Sequence, residues 1–300
     1  MRKWIFMGIL FVVSFLFGSE NAGKTGLAFL KVGVDARAVG MGEAYVAVTG
    51  DASATYWNPA GMLNGAYSNV LFNHNQWFQG IRGEFGAISF VREKSAWGIH
   101  LRSFNISDIE VRDRPTTRPL EETSAHYLSA GVSYARRMSE KFNVGITVKY
   151  LYEKIFVESA HGWAVDAGIT YRPGIKGLQV GAAIQHLGRM NQLAQERTPL
   201  PALLRAGAAY LLPFGSENMR ARLAGDLVYP FAEGARFHLG TELVLLKQLS
   251  VRVGGMFGYD SHMVNFGAGI VRSSFRLDYA LVPFSQDLGV THRFSVAFRL

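Results

Sequence analysis

Lys141-Phe142-Asn143-Val144-Gly145-Ile146-Thr147-Val148-Lys149-Tyr150-Leu151-Tyr152-Glu153-Lys154 alternates with a period of two. Phe142, Val144, Ile146, Val148, Tyr150 and Tyr152 make a wholly apolar or aromatic set, opposed by Asn143, Gly145, Thr147, Lys149 and Glu153. Successive side chains of a strand point to opposite faces, so the stretch predicts a strand with one apolar face and one polar face. It is longer than the roughly 9–11 residues with which a tilted strand crosses a bilayer.

The same register recurs in Trp163, Val165, Ala167, Ile169 and Tyr171 against Asp166, Thr170 and Arg172, and in Phe275, Leu277, Tyr279 and Leu281 against Arg276 and Asp278. Apolar faces that begin and end in aromatics, segment after segment, suit a lipid-facing barrel wall better than a soluble sandwich. Fourteen such segments are predicted, at 68–76, 83–92, 95–104, 124–137, 140–154, 161–172, 177–187, 202–213, 219–230, 235–246, 248–258, 262–271, 274–282 and 290–300. The expected fold is therefore all-β, a 14-stranded antiparallel transmembrane β-barrel. Connections after even-numbered strands are short, as periplasmic turns are, whereas 105–123, 188–201 and 283–289 form the long, outward set. That parity places the mature N-terminus on the periplasmic side.

Residues 1–19 read as a secretory signal peptide: Arg2 and Lys3 precede the apolar run Trp4–Phe17, and Gly18-Ser19 offers small residues for cleavage. No later apolar stretch is long enough to span a membrane as a helix, and a closed barrel is the other structure that satisfies its backbone in lipid. The charged fraction is only 18% and the chain holds 33 Gly, 21 Phe and 12 Tyr. The absence of Cys excludes disulfides and thiolate metal sites. A formal charge of +8 is spread along alternating segments rather than gathered in a patch, so outer-membrane lipid and lipopolysaccharide are expected neighbours and nucleic acid is not. The last strand, ending in Phe298 and Leu300, is expected to address the chain to the barrel assembly machinery.

Residues 20–67 break the alternation. The Gly- and Ala-rich run from Gly23 to Ala44 suggests a compact plug. Asp51 starts a helix that Asn58-Pro59 should stop, because a residue before Pro is pushed out of helical geometry. Gly61 is expected to adopt backbone angles closed to other residues.

Gly33-x-Asp35-Ala36-Arg37-Ala38-x-Gly40-Met41-Gly42-x-Ala44-Tyr45-Val46-Ala47 followed by Asp51-Ala52-Ser53-Ala54-x-x-Trp57-Asn58-Pro59-Ala60-Gly61 resembles the PorV/PorQ family of the wider FadL-like group of barrels. The resemblance implies a domain plan of signal peptide 1–19, hatch 20–67 carrying the Asn-Pro-Ala motif, and barrel 68–300. It implies that Arg37, Gly40, Gly42, Asp51, Trp57, Asn58, Pro59, Ala60 and Gly61 matter to the hatch. It also implies a role in type IX secretion, binding or shuttling secreted cargo; the alternative is FadL-like transport of long-chain fatty acids or other hydrophobic compounds.

Other chemistries find little support. Gly40-Met41-Gly42 lacks the third Gly of a dinucleotide motif, and Gly23-Lys24-Thr25 has no strand before it. His100, His126, His161 and His186 fall on different strands and are expected to be solvated rather than metal-bound. No Gly-x-Ser-x-Gly elbow supports an old lipopolysaccharide-deacylase assignment in this family, and Glu121-Glu122 sits among surface Arg residues. No catalytic residue, metal or cofactor is expected.

Overall fold

The computed structural model describes residues 25–112, 114, 119–193, 196–213, 218–261 and 264–300. The signal-peptide stretch 1–19 lies outside them. Fourteen antiparallel strands close into a barrel. They are β1 Asn69–Gln76, β2 Arg82–Val91, β3 Ser95–Val111, β4 Glu121–Ser139, β5 Phe142–Ile155, β6 Glu158–Tyr171, β7 Leu178–Met190, β8 Leu203–Leu211, β9 Met219–Pro230, β10 Arg236–Leu245, β11 Leu249–Phe257, β12 Val264–Arg272, β13 Phe275–Pro283 and β14 Val290–Arg299. The seam pairs β1 with β14 from Asn69↔Arg299 to Gln76↔His292, which closes the ladder around the barrel.

The period-two pattern maps onto the wall as expected. In β5, Ile146, Val148 and Tyr150 are exposed outward while Asn143, Thr147, Lys149, Leu151 and Glu153 are buried inward. Outward aromatics pair near the short-turn end, Trp97 with Tyr134 at 4.6 Å and Phe275 with Phe298 at 4.9 Å between ring centroids. Tyr229, Phe237 and Phe257 lie toward the other end. The exposed apolar band and its aromatic margins are those of an outer-membrane barrel.

Three expectations need correction. The predicted loop 105–123 is largely strand: β3 continues to Val111, and β4 starts at Glu121 with Val111 opposite. A long loop and a projecting hairpin have the same polar composition, and alternation fades once a strand has left the membrane. The connection between β5 and β6, at the same end, is only 156–157, with Phe156 in the left-handed region at φ 56°. Finally, residue 25 lies at the long-connection end, where the Gly26 amide bonds the Pro199 carbonyl. The chain then runs down through the lumen and reaches β1 at the short-turn end, where the Leu300 amide bonds the Ser68 carbonyl. The two ends of the described chain are thus at opposite mouths.

Two predictions arise from this wall. Val148→Arg should cost about 2–4 kcal/mol of barrel stability at mid-membrane, read as lost heat resistance on a gel. Register alone, which sets Thr147 toward a polar lumen, would let that position accept Arg. The structure overturns that: Thr147 is fully buried, its Oγ1 within 2.7 Å of the Ser133 hydroxyl and 3.4 Å of the Thr55 carbonyl. Thr147→Arg should therefore spare the ladder but push the hatch aside, detected as protease sensitivity of residues 50–60. For orientation, a protease site inserted at exposed Gln286 should be cut in intact cells, and one at exposed Glu140 should not.

Candidate functional site

The lumen is filled by residues 25–68, built as short helical turns: a 3-10 turn Ala28–Lys31, helix α1 Ala36–Gly40, helix α2 Ala54–Trp57 and a 3-10 helix Pro59–Asn64. Helices this short hold little stability of their own, so tertiary contacts must fix them. Asp35 caps α1 by accepting from the Arg37 amide at 3.2 Å. Ser53, not Asp51, precedes α2; Asp51 instead accepts from the Ser53 amide and hydroxyl just ahead of it. Asn58 ends α2 in extended geometry, as the Pro after it requires, and the chain then restarts as the 3-10 helix.

Small residues let this plug approach the wall. Gly42 has φ +63°, and a side chain there would meet the Gly255 amide and the Leu239 carbonyl, while Gly40 lies against the backbone of Gly267 in β12. The Gly40-Met41-Gly42 run is thus a contact surface between hatch and wall. Gly61 departs from expectation, because its φ is not positive; what excludes a side chain is Thr49, whose methyl a Cβ would strike. Around Trp57 a buried core forms from Val34, Met41 and Tyr45 of the hatch with Leu71 and Phe85 of the wall. The Trp57 indole donates to the Val34 carbonyl, and the Arg205 guanidinium lies over its ring at 4.9 Å.

Polar inward residues of the strands complete the lock. Glu242 of β10 receives a forked pair of bonds from Arg37, both 2.8 Å, and is shared with Arg252 at 2.9 Å and Arg222 at 3.0 Å. Arg276 of β13 contacts Asp51 at 2.8 Å, Asp35 at 3.4 Å and Asp278 at 2.6 Å. Asp226 accepts from the Tyr45 and Val46 amides, Ser295 from the Ala36 amide and Asn69 from the Ala52 amide. On the hatch, burial pushes the Asp35 carboxyl up to about 7 against the pull of Arg276. For Asp51 burial acts in the same sense, but Arg276 and Arg37 outweigh it and hold the carboxyl below its usual range.

Asn58 ties the two parts together. Its amide donates to the Val46 carbonyl in the hatch and to the Ile169 carbonyl in β6, each at 3.0 Å, while its oxygen accepts from the Ala60 amide. Pro59 and Ala60 lie against Gly145 of β5. A bulge in β7 sets Gln185 and His186 opposite the single residue Asp166 and buries both. Gln185 then reaches the Tyr56 carbonyl, and His186 joins a buried cluster with Lys149 and Asp166. His100 and His186 are consequently buried, not solvated as expected, because the hatch occupies the space that water would fill; His126 and His161 are exposed. Among the described residues no group of His, Asp or Glu is placed to hold a metal ion.

All nine residues singled out in the sequence therefore converge on the hatch and its contacts. The wall residues that grip it, Arg205, Asp226, Glu242, Arg252 and Arg276, were visible only as polar positions on inward faces. Their one signal was charge at a lumen register.

Comparison with solved structures finds the same architecture at low identity. The CymD monoaromatic hydrocarbon channel aligns over 92% of this chain and 99% of its own, with TM-score 0.67 and 13% identity. The toluene transporter TodX of Pseudomonas putida aligns over 87% and 95%, with TM-score 0.56 and 12% identity. No curated protein matches the sequence. A family model described as type IX secretion system protein PorV matches residues 18–185, more than half of the 300 residues, covering the hatch and the wall strands that seat Asn58-Pro59-Ala60. The chain belongs to the PorV family, as a 14-stranded outer-membrane barrel closed by an N-terminal hatch.

Proposed function

We propose that this barrel serves type IX secretion by holding secreted cargo at its outer rim, and that it does so without catalysis. The observation that carries this reading is the family match over residues 18–185. The shape of the rim supports it. β2 and β3 pair only as far as Arg82↔Asn105, whereas β3 continues to Val111 against β4. At about 3.3 Å per residue, β3 runs roughly 20 Å further along its own direction than its pairing with β2. Beyond Asn105 the β3 edge has its ladder partner only in β4, so its other side offers backbone groups to an incoming strand. Strand addition is one way to grip a cargo that ends in a β-sandwich domain. The lock on the hatch fits a holder better than a conduit.

Uptake of hydrophobic compounds is the second reading, and one cavity favours it. A space of about 160 Å3 at the outer end is lined by Trp77, Leu203, Val228, Met256, Val282 and Phe284, and it reaches Val32 and Glu43 of the hatch. It is small beside the roughly 300–1,000 Å3 usual for ligand pockets, and Arg205, Arg293 and Arg236 interrupt its apolar lining. The test is purification of the tagged barrel from detergent-solubilised outer membrane, followed by mass spectrometry. Recovery of secreted proteins sharing a C-terminal sandwich domain is expected. Bound fatty acid or hydrocarbon without such proteins would overturn the secretion role and favour uptake.

A further inference from the structure

The two mouths of the barrel differ in charge. At the long-connection end, 77–81, 156–157, 231–235, 258–261 and 284–289 contain no Lys or Arg and three acids, Glu233, Asp260 and Asp287. The longer connections at that end, 112–120 and 191–202, carry both signs. At the short-turn end, 92–94, 140–141, 172–177, 212–218, 246–248 and 273–274 contain six Lys or Arg against three Glu. Arg136, Arg137, Arg272 and Arg299 add to this ring from the adjoining strand ends.

Inside the ring a crevice of about 530 Å3 opens between the hatch and the wall. Six Arg residues line it, Arg37, Arg220, Arg222, Arg252, Arg276 and Arg299, against the two acids Asp51 and Glu242. Most of that charge is already answered: Glu242 binds Arg37, Arg222 and Arg252, and Arg276 is held by three Asp. Arg220 is different. It stands one step further out than Arg222 on the inward side of β9, is exposed, and has no carboxylate partner among the described residues. A second, adjoining cavity of about 200 Å3 shares Arg37, Arg220, Arg222 and Glu242 and extends toward Lys247.

We propose that this mouth docks an acidic segment of a partner protein, with an Asp or Glu carboxylate seated at Arg220 and the basic turns ringing the contact. The Arg220 fork faces the lumen on the same side of the strand as Arg222 and suits a carboxylate bidentately, while Arg222 stays with Glu242. The surrounding ring of positive turns steers and orients an acidic partner. A lipid headgroup is the poorer occupant, because Arg220 and Arg222 point into the lumen while exposed Leu223 and Tyr229 mark the lipid side of β9. The crevice opens to solvent at the mouth, where a soluble chain can enter. This proposal does not depend on the cargo role at the opposite rim.

The experiment uses the full chain in detergent with a fluorescent oligoglutamate peptide, and in parallel short-chain phosphatidylglycerol as the headgroup probe. Wild type is expected to bind the peptide with an affinity that falls steeply with salt. Arg220→Glu should weaken it about tenfold or more and Arg220→Gln by less, with heat-resistant migration and hatch protection unchanged in both. Equal peptide affinity in wild type and Arg220→Glu, or a wild type that binds phosphatidylglycerol and not the peptide, would overturn the proposal. No binding of either probe would overturn it as well.

Discussion

Arg276→Ala is expected to unseat the hatch while leaving the barrel standing. The guanidinium holds Asp51, Asp35 and Asp278 together, and the last two carboxylates are essentially inaccessible to water. Removing one partner from a buried ionic cluster typically costs about 3–5 kcal/mol, because the charges left behind stay desolvated. Asp278 keeps its bond to Arg252 at 2.8 Å, so the penalty falls on the two hatch carboxylates, Asp51 and Asp35, and on their contact with the wall. The β13 ladder, from Phe275↔Phe298 to Pro283↔Val290, needs no side chain of Arg276. The variant should therefore keep its heat-resistant gel mobility, show stepwise conductance in planar bilayers and expose residues 33–52 to protease. Adding Asp51→Asn should restore the seal by removing the uncompensated charge, because burial already favours the neutral form of Asp35. A sealed, protected lumen in Arg276→Ala alone would show that packing around Trp57 holds the hatch without the ionic cluster.

The barrel was legible in the sequence because lipid on one side and a polar lumen on the other impose a two-residue period on every strand. The lipid-facing set in β5 and the seam strand β14 follow directly from it. Strand ends were less legible. β3 and β4 run on past the membrane, where neither lipid nor hatch constrains their side chains, and nothing in Asn105–Val111 announces a strand rather than a loop. The hatch was visible as a break in the period and by its resemblance to known relatives, but its path was not. That path depends on pairs far apart in the chain, such as Arg37 with Glu242 or Ala36 with Ser295. No local pattern encodes which inward Glu meets which hatch Arg. The buried state of His100 and His186 is a consequence of the same long-range filling, and a histidine on an inward strand face reads identically whether the lumen holds water or protein.

Asn58 should prove the most sensitive residue of the Asn58-Pro59-Ala60-Gly61 turn, and aspartate the most informative replacement. The Asn58 amide donates to two carbonyls, Val46 and Ile169, and both would lose their donor in Asn58→Asp while a carboxylate was set facing them. An unsatisfied buried polar group costs about 1–3 kcal/mol and more where charge is involved, so Asn58→Asp should be worse than Asn58→Ala despite its closer shape. Pro59 adds a separate constraint by fixing the angle at which the chain leaves α2 for the 3-10 helix. The double replacement of Asn58 and Pro59 by Ala should then free residues 58–64 from β5 and β6. Barrel assembly is expected to survive, since the Ile169↔Val144 pairing is made by backbone alone. Leakage of small hydrophilic solutes should rise, and secretion or solute handling should fall with it. Retention of a sealed lumen and full function would remove the hinge role from this turn. Failure of the barrel to assemble at all would have a different meaning: the buried core shared by Trp57, Leu71 and Phe85 would then be needed before the wall can close, making the hatch part of the folding unit rather than a plug added to it.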